Sequence, residues 1–153
     1  MTPGKEHALL ARSDGEWDEE LTMWMQPGAE PTKSTATAES KMILDQQMTH
    51  KGSFNGMPFE GIGITGYDNA KKVFFSTWID SMGTGIMYSE GKWKDAGKSI
   101  EYKGKSIDPV SGTELSIREI IKIIDDNNQI IEMYTTVKDK EYKSMEIKLT
   151  RKK

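Results

Sequence analysis

The sequence predicts an all-β protein, an up-and-down antiparallel β-barrel of roughly ten strands with a short N-terminal helix. Turn signals recur along almost the whole chain, polar and apolar residues alternate between them, and only one segment near the start has helical character. An antiparallel sheet with one apolar face must bury that face, and closing it into a barrel also removes exposed edges. A sandwich of two sheets is the alternative.

The first predicted element is a helix over residues 3–12. Pro3 occupies a position where the first turn of a helix tolerates proline, and Leu9 and Leu10 give the helix a small apolar face. The barrel is predicted over residues 15–151. Residues 1–153 are therefore expected to form a single β-barrel domain, in keeping with a length of 153 residues.

Nine turn signals divide the barrel into its strands. They are Pro27-Gly28, Asp45-Gln46, Asn55-Gly56, Asp68-Asn69, Gly83-Thr84-Gly85, Asp95-Ala96-Gly97, 108–112, 125–128 and Lys138-Asp139-Lys140. The pair Asn55-Gly56 is the strongest hairpin signal, because a type I′ turn requires a positive φ at both central positions. Alternation is clearest in 100–105 and 145–150, which predicts strands with one polar and one apolar face.

Composition excludes several classes of function. The chain has 21 Lys and Arg against 24 Asp and Glu, a net charge of −3, so we expect no nucleic-acid partner. The absence of Cys excludes disulfides, thiolate metal sites and cysteine nucleophiles. Neither a signal peptide nor a membrane-spanning segment is recognisable, which predicts a cytoplasmic protein with no membrane partner. His7, expected to face solvent, and His50 lie far apart, so neither a metal nor a cofactor is predicted.

The two ends of the barrel are predicted to meet. Trp17 opens the first strand, and Arg151 closes the last strand on the parity of Ile147 and Leu149. The first and last strands of a closed meander are neighbours, so we expect the guanidinium to stack on the indole at the helix end. Together with Gly15-Glu16-Trp17, this arrangement resembles the Gly-x-Trp signature and final-strand Arg of the lipocalins and the wider calycin superfamily.

Longer stretches resemble a bacterial family catalogued as domain of unknown function 1579. The resemblance spans nearly the whole chain and is carried by Gly15-Glu16-Trp17, 27–31, 56–61, 66–70, 77–85, Glu132-Met133-Tyr134 and Thr150-Arg151-Lys152. Its most specific part runs from Trp78 to Gly85. The chain departs from the pattern near 45–47, where the family tends to have a glycine pair and an arginine. The resemblance implies a calycin-like barrel and no established activity or catalytic residues.

Glu119 is the most informative charged residue. It shares the apolar parity of Ile117 and Ile121, so its carboxylate is predicted to point into the barrel. A buried carboxylate is costly unless it is paired, hydrogen-bonded or protonated. Glu119 is therefore either a ligand anchor or acid/base group, or a structural partner of an internal Tyr, Arg or water. Tyr102, on one face of its own strand, is a second interior candidate, and Glu19 is a further interior acid.

Trp78 and Asp80 share one parity at the end of a predicted strand, just before the glycine-rich turn 82–85. An acid beside an indole can orient a polar ligand group at a barrel mouth, and an Asp there can equally bind turn amides. The opposite parity of this strand, with Phe75 and Ile79, is also apolar, so the pattern leaves the inward face open.

His50 and Met48 share the parity of Phe54 and are predicted to face the cavity. Methionine is also frequent at other positions of inferred inward parity, and its flexible side chain suits an adaptable lining. These positions are Met23, Met42, Met48, Met133 and Met145. Methionine as filler of a collapsed core is the opposing interpretation.

These residues favour a binding function. We hypothesise that the barrel binds a small hydrophobic or amphipathic ligand without catalysis, through Glu119, Asp80, Trp78, His50, Tyr102 and Met48. One alternative is a small enzyme of the isomerase or hydrolase type that uses interior carboxylates. Another is a self-association module, a homodimer formed through exposed strand faces that include Trp24 and Ile120.

Overall fold

The computed structural model describes residues 2–153, and its ten strands form a closed antiparallel barrel in which each strand pairs with its neighbours in the chain. The predicted fold class is confirmed. Helix α1 spans Lys5–Ala11, within the predicted range. The strands are β1 (Gly15–Met23), β2 (Thr32–Ile43), β3 (Gln46–Phe54), β4 (Met57–Asp68), β5 (Val73–Asp80), β6 (Met87–Asp95), β7 (Ser99–Ile107), β8 (Glu114–Asp125), β9 (Asn128–Val137) and β10 (Lys140–Arg151).

The tight turns explain where the strands end. Asn55 and Gly56 have φ values of 51° and 73°, so the strongest hairpin signal of the sequence corresponds to an observed two-residue turn. The turn between β2 and β3 is formed by Leu44 and Asp45, with φ values of 47° and 62°, one residue earlier than predicted. All nine predicted turn regions correspond to connections between strands.

Pairing of β1 with β10 closes the barrel, and Arg151 holds this seam. Trp17 and Arg151 are Cα partners, and the guanidinium lies 4.4 Å from the centre of the indole ring. The predicted stack is confirmed. The same guanidinium donates hydrogen bonds to three backbone carbonyls, at Asp126 (2.9 Å), Arg12 (2.7 Å) and Asp14. It therefore joins the last strand to the chain leading into β1 and to the β8–β9 turn.

Helix α1 covers one end of the barrel, which we call the helix end. Its residues Leu9 and Leu10 point into the interior, above a buried cluster formed by Phe74, Ile100 and Tyr102. His7 is also buried, and one ring nitrogen lies 3.0 Å from the Tyr67 carbonyl oxygen. The expectation that His7 faces solvent was wrong, because the helix packs against the barrel through the side that carries this ring.

A second apolar cluster lines the seam itself. It contains Trp17, Leu21, Ala36, Ala38, Ile147 and Leu149, which belong to β1, β2 and β10. These strands bury one side chain in two, as the alternation of the sequence predicts. Within residues 2–153, no helix has both the length and the apolar character needed to cross a membrane.

We expect Arg151→Met to lower the free energy of unfolding by about 2–4 kcal/mol, because it removes three charge-assisted hydrogen bonds and the stack on Trp17. Arg151→Lys should lose most of the same free energy, since an ammonium lacks the planar fork that reaches all three carbonyls. Urea unfolding measures both changes.

The matched control for this prediction is Lys152→Met. The Lys152 ammonium lies 3.7 Å from the Asp18 carboxylate at the surface, and exposed pairs of this kind contribute about 1 kcal/mol at most. Equal losses at positions 151 and 152 would contradict the role of Arg151 as the closing interaction.

Candidate functional site

The barrel encloses a cavity of about 560 Å³, to which all ten strands contribute side chains. This volume lies within the roughly 300–1,000 Å³ typical of small-molecule sites. Leu9 and Leu10 of α1 close the helix end. At the opposite end, Met57 and Met82 line the cavity and are also 60% and 81% exposed, so the cavity opens to solvent there. We call this the open end.

Small side chains on part of the wall leave this space unfilled. β2 contributes Ala36, Ala38 and Ser40 to the lining, where bulkier residues would fill the interior. On β4, Gly61 and Gly63 lie beneath the indole of Trp78, and a Cβ at either position would press against the ring. These glycines thus give Trp78 the room to lie along the wall of the barrel.

Glu19 and Lys51 form an ion pair on the wall of the cavity. The Lys51 ammonium lies 3.0 Å from Oε1 of Glu19 and 5.5 Å from the centre of the Trp78 ring. Glu19 is only 1% exposed, and its carboxylate oxygens make no hydrogen bond to any residue in 2–153. The pair is therefore held by Coulomb attraction and by the ring, in surroundings where an isolated carboxylate would be costly.

Glu119 and Tyr102 form the other polar part of the wall. They are Cα partners on β8 and β7, and both line the cavity, as predicted for their orientation. Burial raises the pKa of the Glu119 carboxyl. The Lys51 ammonium lowers this pKa, but its effect is smaller than that of burial. Burial and the Glu119 charge raise the pKa of the Tyr102 hydroxyl. Within the described residues, the Tyr102 hydroxyl is buried without a hydrogen-bond partner. The Glu119 side chain is half-buried, and burial and the Lys51 charge are the causes that act on its pKa.

Trp78 and Asp80 both line the cavity, which decides the question that the pattern of β5 left open. Ile79, on the opposite parity, is 46% exposed on the outside. The Trp78 indole N–H donates to Oδ2 of Asp80 at 2.7 Å, and the Met82 backbone N–H donates to Oδ1 at 2.9 Å. Asp80 therefore both fixes the indole and binds the following turn, close to the open end.

His50 and Met48 lie on the outer face of β3, so the prediction that they face the cavity was wrong. The cavity side of this strand consists of Gln47, Thr49 and Lys51. A bulge at Ser53, whose φ is 61°, shifts the register between β3 and β4 and turns Phe54 inward. Residues before the bulge consequently have the parity opposite to that counted from Phe54.

On the outside, the His50 ring lies 2.8 Å from the Glu60 carboxylate. Within residues 2–153, no group of three or more His, Asp or Glu side chains has the arrangement of a metal site.

Lys51 is the site residue that sequence reasoning missed. A sign of it was present, because the interior acid Glu19 requires a nearby cation, and Lys51 lies on the polar parity of β3. The prediction for methionine was correct in part. Met23, Met133 and Met145 line the cavity and Met42 and Met48 do not, whereas Met57, Met82 and Met87 contribute to the lining from around the open end.

The exposed face expected around Ile120 is absent. Ile120 is 5% exposed, because its cross-strand neighbours Glu101 and Glu132 belong to ion pairs that cover this part of the outer surface. Trp24 is half-buried, with the Lys143 ammonium 6.0 Å from its ring. A homodimer through Ile120 therefore has no apolar contact to offer at that residue.

A family model described as "Protein of unknown function (DUF1579)" matches residues 2–151. The match includes α1, all ten strands and every polar residue of the cavity wall. No curated protein matches the chain.

We expect Gly61→Ala to displace the Trp78 indole and to break its hydrogen bond to Asp80, because the new methyl group would overlap the ring. Overpacking of this kind costs about 1–3 kcal/mol of stability. Near-ultraviolet circular dichroism and urea unfolding measure the two effects. Gly52→Ala is the control, since a Cβ there meets nothing within 4 Å. Indistinguishable spectra and midpoints for the two variants would contradict this description of the wall.

Glu119→Gln tests the titration of the buried carboxyl. Since the pKa of Glu119 is higher in the folded protein, its contribution to stability is complete below the unfolded value of about 4.3 and is lost as pH rises through the raised pKa. We expect the variant to lack this decline and to gain stability relative to the wild type as pH rises from 4 toward neutrality. Urea midpoints across this range measure the difference. Glu20→Gln, at an exposed position of β1, is the control, and parallel curves for all three proteins would contradict the prediction.

Proposed function

Because the chain belongs to the DUF1579 family, whose description names no activity, we propose its function from the site: the protein binds a small amphipathic molecule inside the barrel, without catalysis. The observation that carries the proposal is the cavity of about 560 Å³, with a largely apolar wall and a few convergent polar groups. This combination is the usual composition of a small-molecule site.

The apolar part of the wall supports the proposal through the hydrophobic effect. Methionine side chains come from β1, β4, β6, β9 and β10 and from the β5–β6 connection. Their unbranched, polarisable chains adapt to the shape of an apolar guest. A hydrocarbon that displaces water from this surface gains about 25 cal/mol for each Å² it covers. The free energy gained by burying a hydrocarbon is therefore large in a cavity of about 560 Å³.

The polar part of the wall supports an amphipathic rather than a purely apolar guest. The Tyr102 hydroxyl is buried without a hydrogen-bond partner among residues 2–153, which is unfavourable by about 1–3 kcal/mol, and the Glu119 carboxyl lines the cavity on the neighbouring strand. A ligand with a polar end near these two groups would remove this penalty. Both residues lie near the middle of their strands, between the helix end and the open end.

The direction of the ligand follows from this arrangement. Glu119 and Tyr102 lie deep in the barrel, and the entrance carries the exposed side chains of Met57 and Met82. The polar end of the guest therefore lies deep in the barrel, and its apolar part extends toward the open end.

We expect dodecanol to displace the apolar dye Nile red from the purified protein and to raise its midpoint of thermal unfolding. Ligand at a hundred times its Kd stabilises a folded protein by about 2.7 kcal/mol. Thr65→Phe adds a ring on the cavity wall and should weaken binding about tenfold or more, since it removes volume that the guest needs. Circular dichroism checks that the variant is folded.

His50→Ala is the matched control, because the His50 side chain lies on the outer face and its loss leaves the cavity unchanged. It should bind dodecanol as the wild type does. The proposal fails if neither dodecanol nor a panel of single-chain amphiphiles binds, or if Thr65→Phe binds them as tightly as the wild type.

A further inference from the structure

We propose that the cavity selects amphiphiles whose polar end is a cation, such as an alkylammonium, and that Glu119 is the counter-ion of that end. This inference rests on the proposed function, because it names the class of ligand for the same cavity. It follows from the charged groups on the wall, from the contacts that three of them make, and from the fourth group, the Glu119 carboxyl.

Acids outnumber bases among the charged residues of the wall. The lining contains three carboxyl groups, those of Glu19, Asp80 and Glu119, and one ammonium group, that of Lys51. A ligand with a carboxylate or phosphate would bring a further negative charge into this interior, where Coulomb interactions are weakly screened. A ligand with an ammonium group would instead add no negative charge, and it would favour the ionised form of an acid on the wall.

Three of these four groups already have partners. The Lys51 ammonium lies 3.0 Å from Glu19 and faces the ring of Trp78, so it is poorly placed to receive an anionic ligand. Asp80 accepts hydrogen bonds from the Trp78 indole and from the Met82 backbone. The remaining group is the Glu119 carboxyl.

Glu119 is the acid of the wall that is available as an anchor. It lines the cavity, is half-buried, and is affected by burial and by the charge of Lys51 with no hydrogen bond among the causes. Its Cα partner on β7 is Tyr102, whose hydroxyl is buried without a hydrogen-bond partner among residues 2–153. An ammonium group donates up to three hydrogen bonds, and the two carboxylate oxygens and the phenol oxygen are three acceptors on adjacent strands. A cationic head therefore satisfies both side chains at once.

The protonation of Glu119 agrees with this assignment. Burial raises the pKa of the Glu119 carboxyl, against the opposing effect of Lys51, while Glu19 and Asp80 are the other acids of the wall. A cation bound beside Glu119 favours its ionised form. A proton that Glu119 carries in the free protein is then released to solvent when an alkylammonium binds, whereas an uncharged alcohol does not release it.

The test compares three probes with the same tail, dodecylammonium, dodecanol and dodecanoate, each kept below its micelle concentration at pH 7. Isothermal titration calorimetry gives the Kd of each probe for the wild type. We expect dodecylammonium to bind about tenfold to a hundredfold more tightly than dodecanol, the range for charge-assisted hydrogen bonds, and dodecanoate to bind most weakly. Because the pKa of Glu119 is raised, titrations in two buffers of different ionisation enthalpy should show more proton release with dodecylammonium than with dodecanol.

Two variants separate the role of Glu119 from the overall charge of the protein. Glu119→Gln should bind dodecylammonium no better than dodecanol and should release no proton. Glu20→Gln changes the net charge equally at an exposed position and should keep the wild-type preference. Because the ratio of the three Kd values is measured on the wild type itself, the test does not depend on the folding of a variant.

The outcomes distinguish this inference from the proposed function. The inference is overturned, and the proposed function stands, if dodecanol binds and dodecylammonium is not preferred, or if dodecanoate binds most tightly. It is also overturned if Glu119→Gln retains the preference. If none of the three probes binds, the inference fails, and the wider panel of single-chain amphiphiles decides the proposed function.

Discussion

Closure of the sheet between β1 and β10 is the constraint on which the rest of the structure depends. The seam is held by Arg151, which stacks on Trp17 and binds three backbone carbonyls. Once the sheet is closed, every inward side chain faces one shared interior. Small residues on β2 then leave a space that all ten strands share. An inward acid such as Glu119 can find a partner only inside the barrel or in a ligand.

Turn chemistry and residue parity were enough to predict the strands, the closing stack and the inward position of Glu119. The turn and parity signals are local, because each depends only on residues within one strand or one turn, and the stack follows because the first and last strands of a closed meander are neighbours. Parity failed where a strand contains a bulge. Ser53 inverts the faces of β3, so that Met48 and His50 lie outside and Lys51 lies inside. A serine with positive φ has no reliable sequence signature, and so parity counted from Phe54 placed Lys51 on the outer face.

The volume of the cavity could not be predicted from the sequence either. The hydrophobic fraction of 35% is compatible with a filled barrel and with an open one. Whether the barrel is filled or open depends on which strands place small residues opposite one another, and on the orientation of a single large side chain. Trp78 lies along the wall over Gly61 and Gly63 rather than across the interior. This orientation depends on a hydrogen bond to Asp80, which is two residues away in sequence.

The two ends of the barrel differ, and this difference gives the interior a direction. Helix α1 and the cluster around Phe74 fill the helix end. The open end carries exposed apolar side chains from four separate segments, those of Met25, Met57, Met82, Ile86 and Val110. A guest that enters there must move its polar end past these side chains, which desolvates that end. Asp80 lies on the wall at the open end and Glu119 lies deeper, so a cationic head of the kind proposed above would meet carboxyl groups along its path inward, which would compensate for its lost hydration.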